Sequence, residues 1–127
     1  DAFFARADAV TLHCPLTDHT EKMINHETLG MMQTSAFLIN TGRGQLIDED
    51  DLAPALQEGS IAGAGLDVLT VEPPQVDHVL LDPSLPNLVI TPHTAWASIE
   101  SRTKLLEGVA GNIEAFLAGA PENVVNA

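Results

Sequence analysis

Cysteine is nearly absent: Cys14 is the single one in 127 residues. No internal disulfide can form, and a reducing cytoplasm suits such a chain best. Basic residues are scarce too. Five Lys and Arg stand against 18 Asp and Glu, for a net charge of −13. Nucleic acid and anionic membranes require basic patches, so neither is expected as a partner. A small anionic ligand stays open, because one well-placed arginine can overcome an acidic background locally. Otherwise the charge describes a solvated surface. No apolar run approaches the roughly 18 residues that would cross a bilayer. The residues after Asp1 join no basic segment to an apolar one, so no signal peptide is expected. His13 and Cys14 have no second ligand pair at metal spacing, so no metal site is expected. Cys14 also lacks a sequence-local base, and reads as a packed thiol. Gly63-Ala64-Gly65 is not the fuller glycine fingerprint and precedes no helix, so it is not a phosphate loop.

What is present is a core. Hydrophobic residues make up 45% of the chain, enough for one folded domain. Asp1 to Ala7 opens without a methionine and reads as the end of a helix (Ala2, Phe3, Phe4, Ala7) from a longer chain. Ala9 to His13 is a strand, closed by Cys14-Pro15. A helix should start at Asn25, a good N-cap, and carry Leu29, Met31 and Met32. Ala36 to Asn40 is almost wholly apolar, as a parallel strand covered on both faces should be. It breaks at Thr41-Gly42-Arg43-Gly44. Asp48 should cap a helix with Glu49, Asp50 and Asp51 in its first turn, which complements the helix dipole. Leu52 and Leu56 follow, and Gly59 stops it. Ile61 to Asp67 is a third buried strand. Pro73 to Pro86 is a long loop with weak helical signals. Leu88 to Thr91 is a fourth strand, ended by Pro92-His93. Ser98 caps a last helix, whose Leu105, Leu106, Val109, Ile113, Phe116 and Leu117 predict one buried face. Gly119 ends it, and Pro121 to Ala127 is a tail.

Strands that alternate with helices pair in parallel through right-handed crossovers. The fold class is therefore α/β, with about four parallel strands in chain order and flanking helices. Ligands bind beyond the carboxyl ends of such strands. Three consecutive ends carry Arg43, then Asp67 with Glu72, then His93. Neighbouring strands lie about 4.8 Å apart, so these side chains can converge on one small ligand. A glutamate beside a histidine prepares it to donate a proton near neutral pH. An arginine between glycines can take a carboxylate through two parallel hydrogen bonds. A small 2-oxo or 2-hydroxy acid suits this set. Each residue also has a plainer reading: His93 as a structural histidine, Arg43 as a surface charge or cap, Asp67 as a loop cap, Glu72 as a solvated acid. Their joint placement on one sheet edge favours the functional one.

Four segments resemble the D-isomer-specific 2-hydroxyacid dehydrogenases, in that family's order and spacing. They are His13-Cys14-Pro15-Leu16-Thr17, Leu38 to Gly44, Gly65-Leu66-Asp67-Val68 with Glu72-Pro73, and Thr91-Pro92-His93-Thr94-Ala95. His93 to Ser98 is most similar to the glycerate dehydrogenase/hydroxypyruvate reductase branch. The resemblance implies an NAD- or NADP-dependent oxidoreductase and a Rossmann-like sheet. It makes Arg43, Glu72 and His93 catalytic: Arg43 for the substrate carboxylate and the 2-oxo group, His93 as proton donor, and Glu72 to hold the imidazole and keep its pKa raised. Asp67 would sit by the nicotinamide carboxamide. Thr41 and Gly42 would line the ring, and Arg43, His93 and Ala95 would also bind the cofactor. His13, Cys14 and Pro15 would line the cleft near the ribose and phosphates. The full-length protein would be a cytoplasmic homodimer.

The family's initial strand, glycine turn and acidic or basic selector are missing, as is its separate substrate domain. Residues 1–127 are therefore expected to be the C-terminal part of a dinucleotide-binding domain. The exposed edge of the first strand invites aggregation, and the chain alone is expected to be inactive. Two other readings stand beside this one: an NAD(H)-sensing protein of the corepressor type with the same fold, and a stand-alone interaction module.

Overall fold

In a computed structural model, residues 2–125 are described. Asp1 of the expected opening helix end, and Asn126 and Ala127 of the expected tail, lie outside them. One compact unit ends at His93 and a second begins at Thr94.

The first unit is a sheet of four parallel strands, β1 (Ala9–Leu12), β2 (Phe37–Asn40), β3 (Gly63–Leu66) and β4 (Leu88–Ile90), side by side in chain order. The register pairs Leu12 with Asn40, Asn40 with Leu66 and Leu66 with Ile90. All four strands therefore stop in line, and the residues that follow them share one edge. Helix α1 (His26–Gly30) joins β1 to β2, and α2 (Glu49–Gln57) joins β2 to β3. Leu38 of β2, Leu52 of α2, Leu29 of α1 and the loop residues Ile24, Leu46 and Ile61 are fully buried together. Burial on this scale supplies the main drive to fold, at about 1.5–3 kcal/mol for each large aliphatic side chain.

The local signals act as expected at most ends. Asn25 caps α1 in a reciprocal box with Thr28. Gly59, at φ +71°, follows α2 in the left-handed conformation that favours glycine. Three expectations for the first unit need correction. First, α1 stops at Gly30, so Met31 is its C-cap and Met32 lies beyond it. Met32 is nevertheless buried in the core. Second, Asp48 occupies the N-cap position of α2 without capping it. Its carboxylate turns to Lys22 Nζ at 2.9 Å instead. A full positive charge is a stronger partner than a backbone N–H for this partly exposed carboxylate. Third, the opening is a single 3-10 turn, Phe4–Arg6. The Pro73 to Pro86 loop also contains a 3-10 turn, Val79–Leu81, which drops Leu80 into the core.

The second unit holds helix α3 (Ile99–Leu117), capped by Ser98 Oγ on the Ser101 N–H. None of its residues is buried, which corrects the expected buried face. The periodicity is real, but among the described residues this unit has no second element for the stripe to pack against. No helix among the described residues is long and apolar enough to cross a membrane.

Gly44 lies against the backbone of Leu69 and Thr70. A Cβ there would come within 2.0 Å of the Leu69 carbonyl carbon, whereas one on Gly42 would meet only ordinary contacts, from 3.4 Å outward. Gly44→Ala should therefore cost about 1–3 kcal/mol or more in a urea unfolding measurement. Gly42→Ala should cost clearly less. Equal losses would contradict this packing.

Candidate active site

The site begins where the strands end. Asn40 is completely buried. Its side-chain oxygen accepts the Gly42 N–H at 3.0 Å, and its amide donates to the Arg43 carbonyl at 2.8 Å. An asparagine that closes a turn on its own strand in this way fixes where the next side chain leaves the sheet. That side chain is Arg43, exposed and extended, with Nη1 donating to the Gly42 carbonyl at 2.8 Å.

Past β3, the Asp67 N–H donates to the Asn40 carbonyl at 2.9 Å, so the ladder runs one residue beyond the strand. Asp67 is 5% exposed. Its Oδ1 accepts the Thr91 hydroxyl. The chain then turns through Leu69 and Thr70 and presents Glu72. Glu72 Oε1 accepts the Leu69 N–H at 2.8 Å. Its other oxygen, Oε2, meets His93 Nδ1 at 2.7 Å. The Glu72–Pro73 peptide bond is cis.

His93 has φ +51°, which is uncommon for a residue with a side chain. The backbone is held there from both sides, because its N–H donates to the carbonyls of Asp67 and Thr91, each at 2.9 Å. Residues held in such conformations cluster at functional sites. The hydrogen bond from His93 is the first reason the Glu72 carboxyl lies below its ordinary range; the Leu69 N–H is the second. Burial and the negative charge of Asp67 oppose the shift.

Arg43, Glu72 and His93 line one hollow of about 160 Å3, together with Leu69 and Thr70. Glu72 and His93 also line a larger hollow of about 410 Å3, walled by Leu69, Pro73, Ile90 and Pro92 and reaching Asp67. Arg43 does not line the larger one. The carboxylate–imidazole pair thus stands as a partition, with a cation on one side and Asp67 on the other. His13, Pro15 and Thr41 are exposed along the same sheet edge, and Cys14 and Gly42 are half-buried there. The Cys14 thiol packs against the Met23 sulfur at 3.7 Å. His13 Nε2 lies 2.8 Å from the Thr11 hydroxyl. Ala95 belongs to the second unit. Among the described residues, no group of three or more His, Cys, Asp and Glu side chains is placed to hold a metal ion.

The family model for the D-isomer specific 2-hydroxyacid dehydrogenase, NAD binding domain, matches residues 1–95. The chain belongs to that family. It is 50% identical over 127 residues to the glycerate dehydrogenase of Methylorubrum extorquens, covering all of this chain and 40% of that protein. A solved acyclic imino acid reductase in complex with NADPH and D-Arg superposes with a TM-score of 0.89 at 40% identity, over 98% of this chain and 39% of that one. The NAD-complexed D-isomer specific 2-hydroxyacid dehydrogenase of Lactobacillus delbrueckii ssp. bulgaricus gives 0.85 at 37% identity, over 98% and 42%. The chain therefore spans about 40% of the length of these relatives.

Sequence reasoning did not single out Asn40 or Thr91 as parts of the site. A polar residue ending the apolar run Phe37-Leu38-Ile39 was a signal for Asn40. Thr91 gave no comparable one, because its partner Asp67 is distant in sequence.

The depressed Glu72 carboxyl has a defined pH signature. Its ionised form stabilises the fold above its ordinary value of 4.5, and that contribution is lost as pH falls through the lowered folded value. The difference in melting temperature between the wild type and Glu72→Gln should be constant well above pH 4.5 and shrink below it. A difference that widened on acidification would contradict the shift.

Proposed function

We propose that this chain supplies the proton-transfer side of an NAD- or NADP-dependent D-2-hydroxyacid dehydrogenase that reduces a small 2-oxo acid such as hydroxypyruvate or glyoxylate. The observation that carries the reading is the 2.7 Å contact between His93 and Glu72 on a hollow that Arg43 also lines. Arg43 would bind the substrate carboxylate and draw charge from the 2-oxo oxygen. Glu72 holds the imidazole through Nδ1. His93 would donate its proton to the carbonyl oxygen, and in the reverse direction would act as base. A nicotinamide cofactor held at this edge would supply the hydride chemistry.

The residues at the sheet edge fit the nicotinamide end of such a cofactor. The Asp67 carboxylate suits a carboxamide, and the exposed Thr41 and half-buried Gly42 would line the ring. His13, Cys14 and Pro15 would contact ribose and phosphate. No G-x-G-x-x-G turn is present in residues 1–127, so the pyrophosphate cradle is not supplied by them. We therefore read the chain as the C-terminal part of a dinucleotide-binding domain, inactive without the glycine turn and the substrate domain. The lone cysteine suits the cytoplasm. A homodimeric longer protein rests on the family resemblance.

A second reading is reduction of an imino acid, favoured by the similarity to the acyclic imino acid reductase. The two differ in the atom that receives the proton, oxygen or nitrogen. An NAD(H)-sensing protein would bind the cofactor without turnover.

In the longer protein, His93→Ala should lower kcat for hydroxypyruvate or glyoxylate by about 100-fold or more. Unchanged turnover would remove His93 from the mechanism. Turnover of a 2-imino acid but not of either 2-oxo acid would select the second reading.

A further inference from the structure

A second carboxylate–histidine pair lies behind the site. Glu49 Oε2 is 3.3 Å from His78 Nε2, with the two side chains only 12% and 14% exposed. The Leu80 N–H donates to His78 Nδ1 at 3.2 Å. A ring nitrogen that accepts from a backbone amide carries no proton, so the ring proton sits on Nε2 and points at Glu49. The other Glu49 oxygen accepts the Thr70 N–H at 2.8 Å. Thr70 follows Leu69, whose N–H is bound by Glu72. Two carboxylates thus hold consecutive backbone amides, and one of the two carries the proton donor.

Glu49 opens α2, where the helix dipole alone would welcome a carboxylate. Asp50 answers that need from the surface, while Glu49 turns inward. His78 in turn ties down the long loop that follows Pro73-Pro74. Gln45 Nε2 reaches the Thr70 carbonyl at 3.3 Å, and so ties the same residue to the Arg43 turn.

We propose that Glu49 and His78 are positioning residues for the proton donor, fixing the Leu69-Thr70 backbone so that Glu72 meets His93 in one geometry. This rests on the proposed reduction for its kinetic consequence but not for its structural one. A displacement of the order of 1 Å at a reacting group can lower turnover by about 100-fold.

The test uses the longer protein with Glu49→Ala, Glu49→Gln and His78→Ala. Backbone amide exchange is read at Leu69 and Thr70, with the side-chain Nδ1 proton signal of His93, melting temperature, kcat and KM. Glu49→Ala should remove protection at both amides and weaken the His93 signal. It should lower kcat about 10-fold or more while KM changes less than about 3-fold. Glu49→Gln keeps an acceptor for the Thr70 N–H and should recover most of the turnover. His78→Ala should fall between them. A folded Glu49→Ala protein with wild-type kcat and wild-type Leu69 exchange would overturn the proposal, as would equal losses in Glu49→Ala and Glu49→Gln. If Glu49→Ala does not fold, His78→Ala decides by the same readings. If the longer protein turns over neither 2-oxo nor 2-imino acids, the reduction falls, and the amide and imidazole signals still decide the positioning role.

Discussion

The candidate site depends on a parallel hydrogen-bond ladder that continues past the ends of its strands. Asp67 donates to Asn40, Thr91 to Leu66 and His93 to Asp67, each at 2.9 Å. These bonds use the same slanted pattern as the sheet itself. Arg43, Asp67 and His93 are therefore set by the register of buried apolar strands. Shifting β3 by one residue would turn its side chains to the other face and move Asp67 off the edge. Precise placement of a few polar groups comes from the burial of Leu38, Ala64 and Leu66, residues that touch no substrate.

Between the strands, the chain is held by groups that answer one another. Asn40 closes the turn that aims Arg43. Gly44 lets that turn lie directly on the Leu69-Thr70 backbone. Glu72 binds the first amide of that segment and Glu49 the second. The left-handed backbone of His93 is held by two hydrogen bonds from one N–H. Backbone groups that would otherwise need water are taken up by side chains or neighbouring backbone, and these bonds fix the candidate site residues in place.

Much of this was legible in the sequence. The four strands and their order follow from short apolar runs split by helical stretches. Arg43, Asp67, Glu72 and His93 stood out because they follow strand ends, where α/β sheets bind ligands. The bracing was not legible. Glu49 pairs with His78 from 29 positions away, and no local pattern marks such a partner. Asp48 was read as a cap because caps are local, yet Lys22 across the loop took the carboxylate. The apolar stripe of α3 was read as buried because periodicity reports which face wants cover, not whether its own unit supplies it. Family membership supports the proposed chemistry, which neither spacing nor geometry gives. The chain spans about 40% of the length of the relatives it matches.

The central claim is that Glu72 acts through His93. A double-mutant cycle on kcat/KM in the longer protein tests it most directly, with Glu72→Gln, His93→Ala and the pair together. If Glu72 serves only to hold the imidazole, the double variant will be no slower than His93→Ala alone, and the coupling will equal the whole effect of Glu72→Gln. Losses that multiply independently would contradict the account.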